Sequence, residues 1–193
     1  MEQKVPLIVW SGGLDSTMSL LYELEKNDVV DTVYFKLENN PKQTKMELIA
    51  IKKIRKLLQK DNKIINLQIQ EIAALPSNNN LFLPQPALWI SNIVYFINSS
   101  RHNRIVFGYI KGDDFWHIKT EFESLYLNLC KIVCVENDSP SLYFPYEWWT
   151  KKQMVKEMKK NHKDVYKLIS YCENPEEGKP CEKCGSCLQH KSA

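Results

Sequence analysis

The chain has 193 residues, 44% of them apolar and 25% charged, with a formal net charge of +3. Those proportions belong to one soluble globular domain with a core of ordinary size. The charge is too small to imply a nucleic-acid partner by itself, and with arginine only at Arg55, Arg101 and Arg104 the lysine-rich surface reads as solvated. No apolar run reaches the roughly 20 residues of a membrane span. Residues 5–10 are too short for a signal peptide and no cleavage site follows, so a cytoplasmic protein is expected.

In chain order, VPLIVW (5–10) reads as a buried strand and Asp15 to Asn27 as a helix, with Met18, Leu21, Tyr22 and Leu24 at helical spacing. DTVYFKL (31–37) is a second strand, Gln43 to Gln59 a long amphipathic helix, and KIINLQI (63–69) a third strand. A polar loop with Asn78, Asn79 and Asn80 and a Pro-Gln-Pro at 84–86 precede a helix from Ala87 to Ser99. RIVFGYI (104–110) is the fourth strand, Phe122 to Leu129 a helix and KIVCV (131–135) the fifth strand. Thr150 suits the N-cap of a helix over Lys151 to Lys160, and a short helix covers Lys163 to Ser170. Alternating strands and helices predict an α/β fold with a mainly parallel five-stranded sheet in a single domain, 1–193.

Two places carry chemistry. SGGLDST, Ser11 to Thr17, fills the first turn from strand to helix, where such sheets bind nucleotides. Gly12 and Gly13 let backbone N–H groups approach an anion, the helix N-terminus adds unsatisfied donors, and Ser11, Ser16 and Thr17 offer hydroxyls. Asp15 would repel phosphate; it makes sense if it orients the loop or holds Mg²⁺ beside the phosphates. The string is neither GxxxxGK[ST] nor GxGxxG. The second place is the C-terminus, where Cys172, Cys181, Cys184 and Cys187 follow C-x8-C-x2-C-x2-C. In a reducing compartment that cluster points to a closed tetrahedral Zn²⁺ site over 172–187, with an iron–sulfur cluster as the alternative. Cys130 and Cys134, in LNLCKIVCV, read as core residues.

SGGLDS matches the SGGxDS loop of the N-type ATP pyrophosphatases, and together with the cysteine tail it resembles the 7-cyano-7-deazaguanine synthase (QueC) family over nearly the whole chain. Thr150-Lys151 after Pro145 resembles the family's P-x-x-x-[ST]-K with one residue more after the proline, and Gly108 with Asp113 its G-x4-D; Lys119, Glu121 and Phe122 fall near the end of its Y-P-D-C-R-x-E-F. The resemblance implies an adenine nucleotide alpha hydrolase-like fold, ATP with Mg²⁺, structural zinc and a homodimer. Its reaction converts 7-carboxy-7-deazaguanine to the nitrile with ammonia and two ATP, by acyl adenylate, amide and dehydration. On that basis Ser11, Gly12, Gly13, Leu14, Asp15, Ser16 and Thr17 bind ATP, Asp15 and Ser16 are catalytic, and Gly108, Asp113, His117 and Lys119 face the substrate.

The sequence also departs from the pattern. The family's F-D-Y-G-Q reads Phe35-Lys36-Leu37-Glu38-Asn39, its V-P-x-R-N reads Leu83-Pro84-Gln85-Pro86-Ala87, and its Y-P-D-C-R reads Phe115-Trp116-His117-Ile118-Lys119. His190 stands where a family arginine often follows the last cysteine. The losses fall in substrate regions, which points to an altered substrate, acceptor or number of steps. One version keeps the deazaguanine acid but stops at an amide; another couples the acid to a protein amine, as in QueC-like paralogues of antiviral defence operons. The rival from another class is an inactive nucleotide-binding protein. Against these stand plainer readings. His117 can be a core histidine, Asp113 and Asp114 can cap the next helix, and Trp148 and Trp149 can serve packing or a subunit contact. The tail lacks the interleaved aromatics of an RNA-binding knuckle.

Overall fold

The computed structural model describes residues 4–37, 40–59, 62–72, 85–97, 100–133, 139–176 and 178–191. Five parallel strands form one sheet in the order β3-β2-β1-β4-β5. The strands are β1 (Val5–Val9), β2 (Val29–Leu37), β3 (Ile64–Ile72), β4 (His102–Val106) and β5 (Ser141–Tyr143). The helices are α1 (Leu14–Lys26), α2 (Pro41–Leu58), α3 (Gln85–Ile93), α4 (Lys119–Ile132), α5 (Lys151–Asn161), α6 (Lys163–Tyr166) and α7 (Gly185–Lys191), with a 3₁₀ turn at Asp114–Ile118 before α4. The polar stretch with Asn78, Asn79 and Asn80 lies outside the described residues. None of the described helices is long and apolar enough to cross a membrane.

The sheet separates two cores, because alternate residues of each strand face opposite sides. Ile8, Trp10, Val30 and Tyr34 pack with Leu20, Ile54 and Met158 beneath α1, α2 and α5. Leu7, Val9, Val33 and Phe35 pack with Ile90, Phe122 and Tyr126 beneath α3 and α4. Arg104 of β4 donates from Nη2 (2.5 Å) and Nε (3.0 Å) to the fully buried Glu23, tying the sheet to α1.

The fifth strand is not where the apolar run KIVCV suggested. Residues 131 and 132 end α4, and β5 begins nine residues later, at Ser141 beside β4. The helix wins because Phe122, Tyr126 and Cys130 recur every fourth residue and all three are buried, a period that a five-residue apolar run read alone does not reveal. Cys130 is a core residue, as expected; Cys134 lies outside the described residues. The helix expected from Ala87 to Ser99 runs from Gln85 to Ile93, and the one expected over Lys163 to Ser170 stops at Tyr166. Thr150 does cap α5, in a reciprocal capping box with Gln153.

The strand order reverses direction between β1 and β4. Connections leave this point to opposite sides, so a crevice opens at the carboxyl ends of the strands.

Candidate functional site

The crevice holds a cleft of about 600 Å³. Its floor is the turn after β1. Gly12 adopts φ +74, which favours glycine, and its carbonyl accepts Ser170 N–H at 2.8 Å. Ser11 and Ser16 pair their hydroxyls at 3.0 Å, and Ser16 Oγ accepts the Ser11 N–H at 3.1 Å. No side chain caps α1 at Gly13, so the positive end of its dipole opens onto the cleft. The result is a turn lined with hydroxyls and amides, suited to an anion.

Asp15 and Lys151 face each other across this floor in an ion pair between α1 and α5. Burial raises the Asp15 pKa, and the Lys151 charge only partly opposes it. Lys151 engages Asp15 Oδ2; Asp15 Oδ1 is buried without a partner. A buried acceptor left unpaired costs about 1–3 kcal/mol, so the site keeps unused capacity for a donor or a cation.

Ser11, Gly13, Leu14, Asp15 and Ser16 line the cleft, while Gly12 and Thr17 lie behind it. Thr17 is fully buried, and its hydroxyl accepts the Trp10 indole N–H at 3.0 Å. Among the four candidate substrate residues, Gly108 and Asp113 reach the cleft and His117 and Lys119 do not. A Cβ on Gly108 would stand 2.6 Å from Ser16 N and 2.7 Å from the Asp15 carbonyl carbon, so glycine is what lets the chain after β4 pack on the start of α1. Asp113 accepts the Ile110 N–H at 3.0 Å and makes no side-chain cap to the 3₁₀ turn. His117 is exposed on that turn, which excludes the core reading. Lys119 lies 3.2 Å from Glu147 and sits over the Trp116 ring. Trp149 packs edge-on against Tyr146 at 5.1 Å, while Trp148 is 74% exposed.

The rest of the cleft was not legible as a site. Glu47 of α2 accepts from Tyr34 Oη at 2.6 Å and from Gln43 Nε2 at 3.0 Å; burial raises its pKa against both bonds. His190 stacks on Tyr171 at 4.0 Å and pairs Nδ1 with the Tyr166 hydroxyl at 3.1 Å. Burial, with help from the Lys151 and Lys159 charges, lowers its pKa to about 4, so it is neutral at physiological pH. Phe35 and Trp89 stack at 5.1 Å near one wall, and Tyr109 and Phe115 stack at 4.0 Å on another. Lys151 was signalled by the Thr150-Lys151 pair after Pro145, and Phe35, Phe115 and His190 only as positions where the family pattern is lost; Glu47, Trp89 and Tyr109 carried no signal and come together from distant parts of the chain.

The tail closes beside the cleft. Cys172, Cys181, Cys184 and Cys187 bring their Sγ atoms within 4.8 Å of one another. Four thiolates at Zn–S of about 2.3 Å need a cluster of this size, so the residues fit a tetrahedral Zn²⁺. The loop between the first two cysteines closes through paired backbone bonds between Glu176 and Lys179, with Gly178 at φ +77 making the turn. Cys172 Sγ accepts the Cys181 N–H at 3.2 Å, and Cys181 Sγ the Cys184 N–H at 3.4 Å. Without a metal, the Lys183 N–H leads in drawing the Cys181 thiol down to about 7, while burial raises Cys172 and Cys187. His190 bonds Tyr166 rather than joining the sulfur cluster. Cys172 itself also lines the cleft, so metal binding and cleft shape share a residue.

A search of curated proteins finds no match to the chain. The family model described as queuosine biosynthesis protein QueC matches residues 5–193. The loop, the cleft at the strand crossover and the cysteine cluster all lie inside that match, and the chain belongs to the QueC family of ATP-using PP-loop enzymes.

Proposed function

We propose that the protein adenylates the carboxylate of 7-carboxy-7-deazaguanine and couples the activated acyl group to an amine. A carboxylate is a poor electrophile. Transfer of AMP from ATP to one of its oxygens, with pyrophosphate leaving, turns that oxygen into a good leaving group. An amine then attacks the acyl carbon, AMP departs, and the amine loses a proton. With ammonia the product is an amide. A second ATP adenylates the amide oxygen, and loss of AMP and two protons gives 7-cyano-7-deazaguanine.

The observation that carries this reading is the open N-terminus of α1, fronted by the paired Ser11 and Ser16 hydroxyls and faced by Lys151. The amides and hydroxyls suit a departing pyrophosphate. The free oxygen of Asp15 suits the Mg²⁺ that accompanies ATP, and the four clustered thiols suit a zinc in a structural role.

A second reading keeps the first adenylation and changes the acceptor to a protein amine, as in a defence system. It is supported by Pro86, which lines the cleft at the position where the family pattern has arginine.

Purified protein with ATP, Mg²⁺ and the acid, with and without ammonium, tests both readings by mass spectrometry of small molecules and protein. Nitrile is the expected product. Amide as the last product means that the first reading stops after one adenylation, and the acid's mass added to a protein selects the second reading. Absence of AMP under all conditions leaves only nucleotide binding and overturns both.

A further inference from the structure

Two buried side-chain polar atoms among the described residues lack a hydrogen-bond partner: Asp15 Oδ1 and the Tyr109 hydroxyl. Both side chains line the same cleft. Asp15 lies on the phosphate loop, where an unpaired oxygen has an evident use. Tyr109 does not, and nothing in the loop chemistry needs it.

The position of Tyr109 is fixed from two sides. Its neighbour Gly108 packs against the backbone of Asp15 and Ser16, which sets the distance of the segment from the phosphate loop. Its ring stacks on Phe115 at 4.0 Å and 11°, lies parallel to Phe107 at 5.8 Å and meets Phe122 edge-on at 6.3 Å. A ring held this way cannot swing its hydroxyl to water without breaking the stack. Burial first, and then the Asp113 charge, raise the Tyr109 pKa, so the group stays a neutral donor.

We infer that the Tyr109 hydroxyl is a specificity-determining donor to an acceptor atom on the heterocycle of the acid substrate, not to its carboxylate and not to ATP. The inference rests on the adenylating activity proposed above. The wall around Tyr109 is aromatic, with Phe107 and Phe115 beside it in the cleft. A carboxylate or phosphate there would exchange its hydration for one neutral donor and would meet the repulsion of Asp113. A flat heteroaromatic ring matches the wall in shape and polarity. A ring carbonyl beside a ring N–H matches it further, since the carbonyl accepts from Tyr109. The N–H finds a carboxylate in Asp113, which holds the Ile110 N–H through Oδ2 and has lone pairs to spare.

The Tyr109→Phe variant removes the hydroxyl and keeps the stack. Calorimetric titrations of the zinc-loaded full chain would use 7-carboxy-7-deazaguanine and the ring without its acid, 7-deazaguanine, each at saturating α,β-methylene ATP, and the analogue by itself. Both heterocycles should bind about tenfold more weakly to the variant. The nucleotide Kd should not change, and Tm should hold or rise because an unsatisfied hydroxyl has gone. Unchanged heterocycle affinity overturns the inference. So does a loss confined to the carboxylated ligand, a loss of nucleotide affinity, or a fall in Tm. Wild-type protein that binds neither heterocycle removes the adenylation reading and this inference together; wild-type binding that the variant matches removes the inference alone.

Discussion

Asp15 and Asp31 stand at opposite ends of the sheet and are handled in opposite ways. Asp31, near the start of β2, accepts Arg101 Nη2 at 2.9 Å and Asn66 Nδ2 at 2.7 Å, and pairs with His102 Nε2 at 3.0 Å. Burial works to raise its pKa, but bonds from Arg101, Asn66 and His102 outweigh it and hold the carboxyl well below the usual carboxylate range. Asp15 has one cationic partner, keeps one oxygen unpaired, and has its pKa raised by burial. A carboxylate whose acceptor capacity is used up serves the fold. One left short of partners in a cleft is held ready for something that arrives.

The contrast is broken most directly at Asp15. Asp15→Ala should lower acid-dependent pyrophosphate release by about 10²–10³-fold, the usual loss when one group that stabilises developing charge is removed. Stability should be unchanged or slightly higher, because a buried acceptor with an open lone pair has gone and Lys151 can reach water. Pyrophosphate release at the wild-type rate would show that Asp15 has no part in the chemistry. A large fall in Tm with activity per folded molecule intact would place it with Asp31 as a structural group.

Removal of metal sharpens the comparison from the tail. The described part of the tail has little core of its own and is fastened to the domain by a few bonds, such as Asn40 Nδ2 to Glu173 O at 2.8 Å. A metal at 1,000 times its Kd stabilises by about 4 kcal/mol, or roughly 8–16 °C for a chain of this size. Chelation should lower Tm by about that much and should also weaken ATP binding, because Cys172 lines the cleft and Ser170 bonds Gly12. An unchanged Tm, with metal loss verified by elemental analysis, would remove the structural role.

These regions also differ in how far the sequence exposes them. Ser11 to Thr17 and the four cysteines are short, contiguous patterns in which spacing and chemistry travel together. The order of strands and helices was readable for the same reason, since each element carries its own period. KIVCV misled because five apolar residues fit a strand and the end of a helix equally well, and only the longer period from Phe122 to Cys130 separates them. Apart from Lys151, the walls of the cleft had no such local signature. Glu47, Tyr109, Lys151 and His190 come from four separate segments and meet only because the parallel strands direct them to one edge. Gly108 was legible as a candidate, but its reason, a backbone approach to Ser16, required the structure.

The smallest effect is expected at Asp31 and is read in acid. A carboxyl whose folded pKa lies below its unfolded value of about 3.9 adds stability above that value and loses it as pH falls toward the folded pKa. At pH 7 the full contribution is present, about 1–2 kcal/mol after allowance for solvent screening. Asp31→Asn should therefore be less stable than wild type by about that amount in urea unfolding at pH 7, with adenylation per folded molecule unaltered. The gap should narrow below pH 4, as the wild-type carboxyl takes up its proton in the unfolded state first. A gap that stays constant to pH 3, or widens, would mean that the bonds from Arg101, Asn66 and His102 do not favour the charged form. Asp31 would then no longer be the saturated counterpart that makes Asp15 stand out.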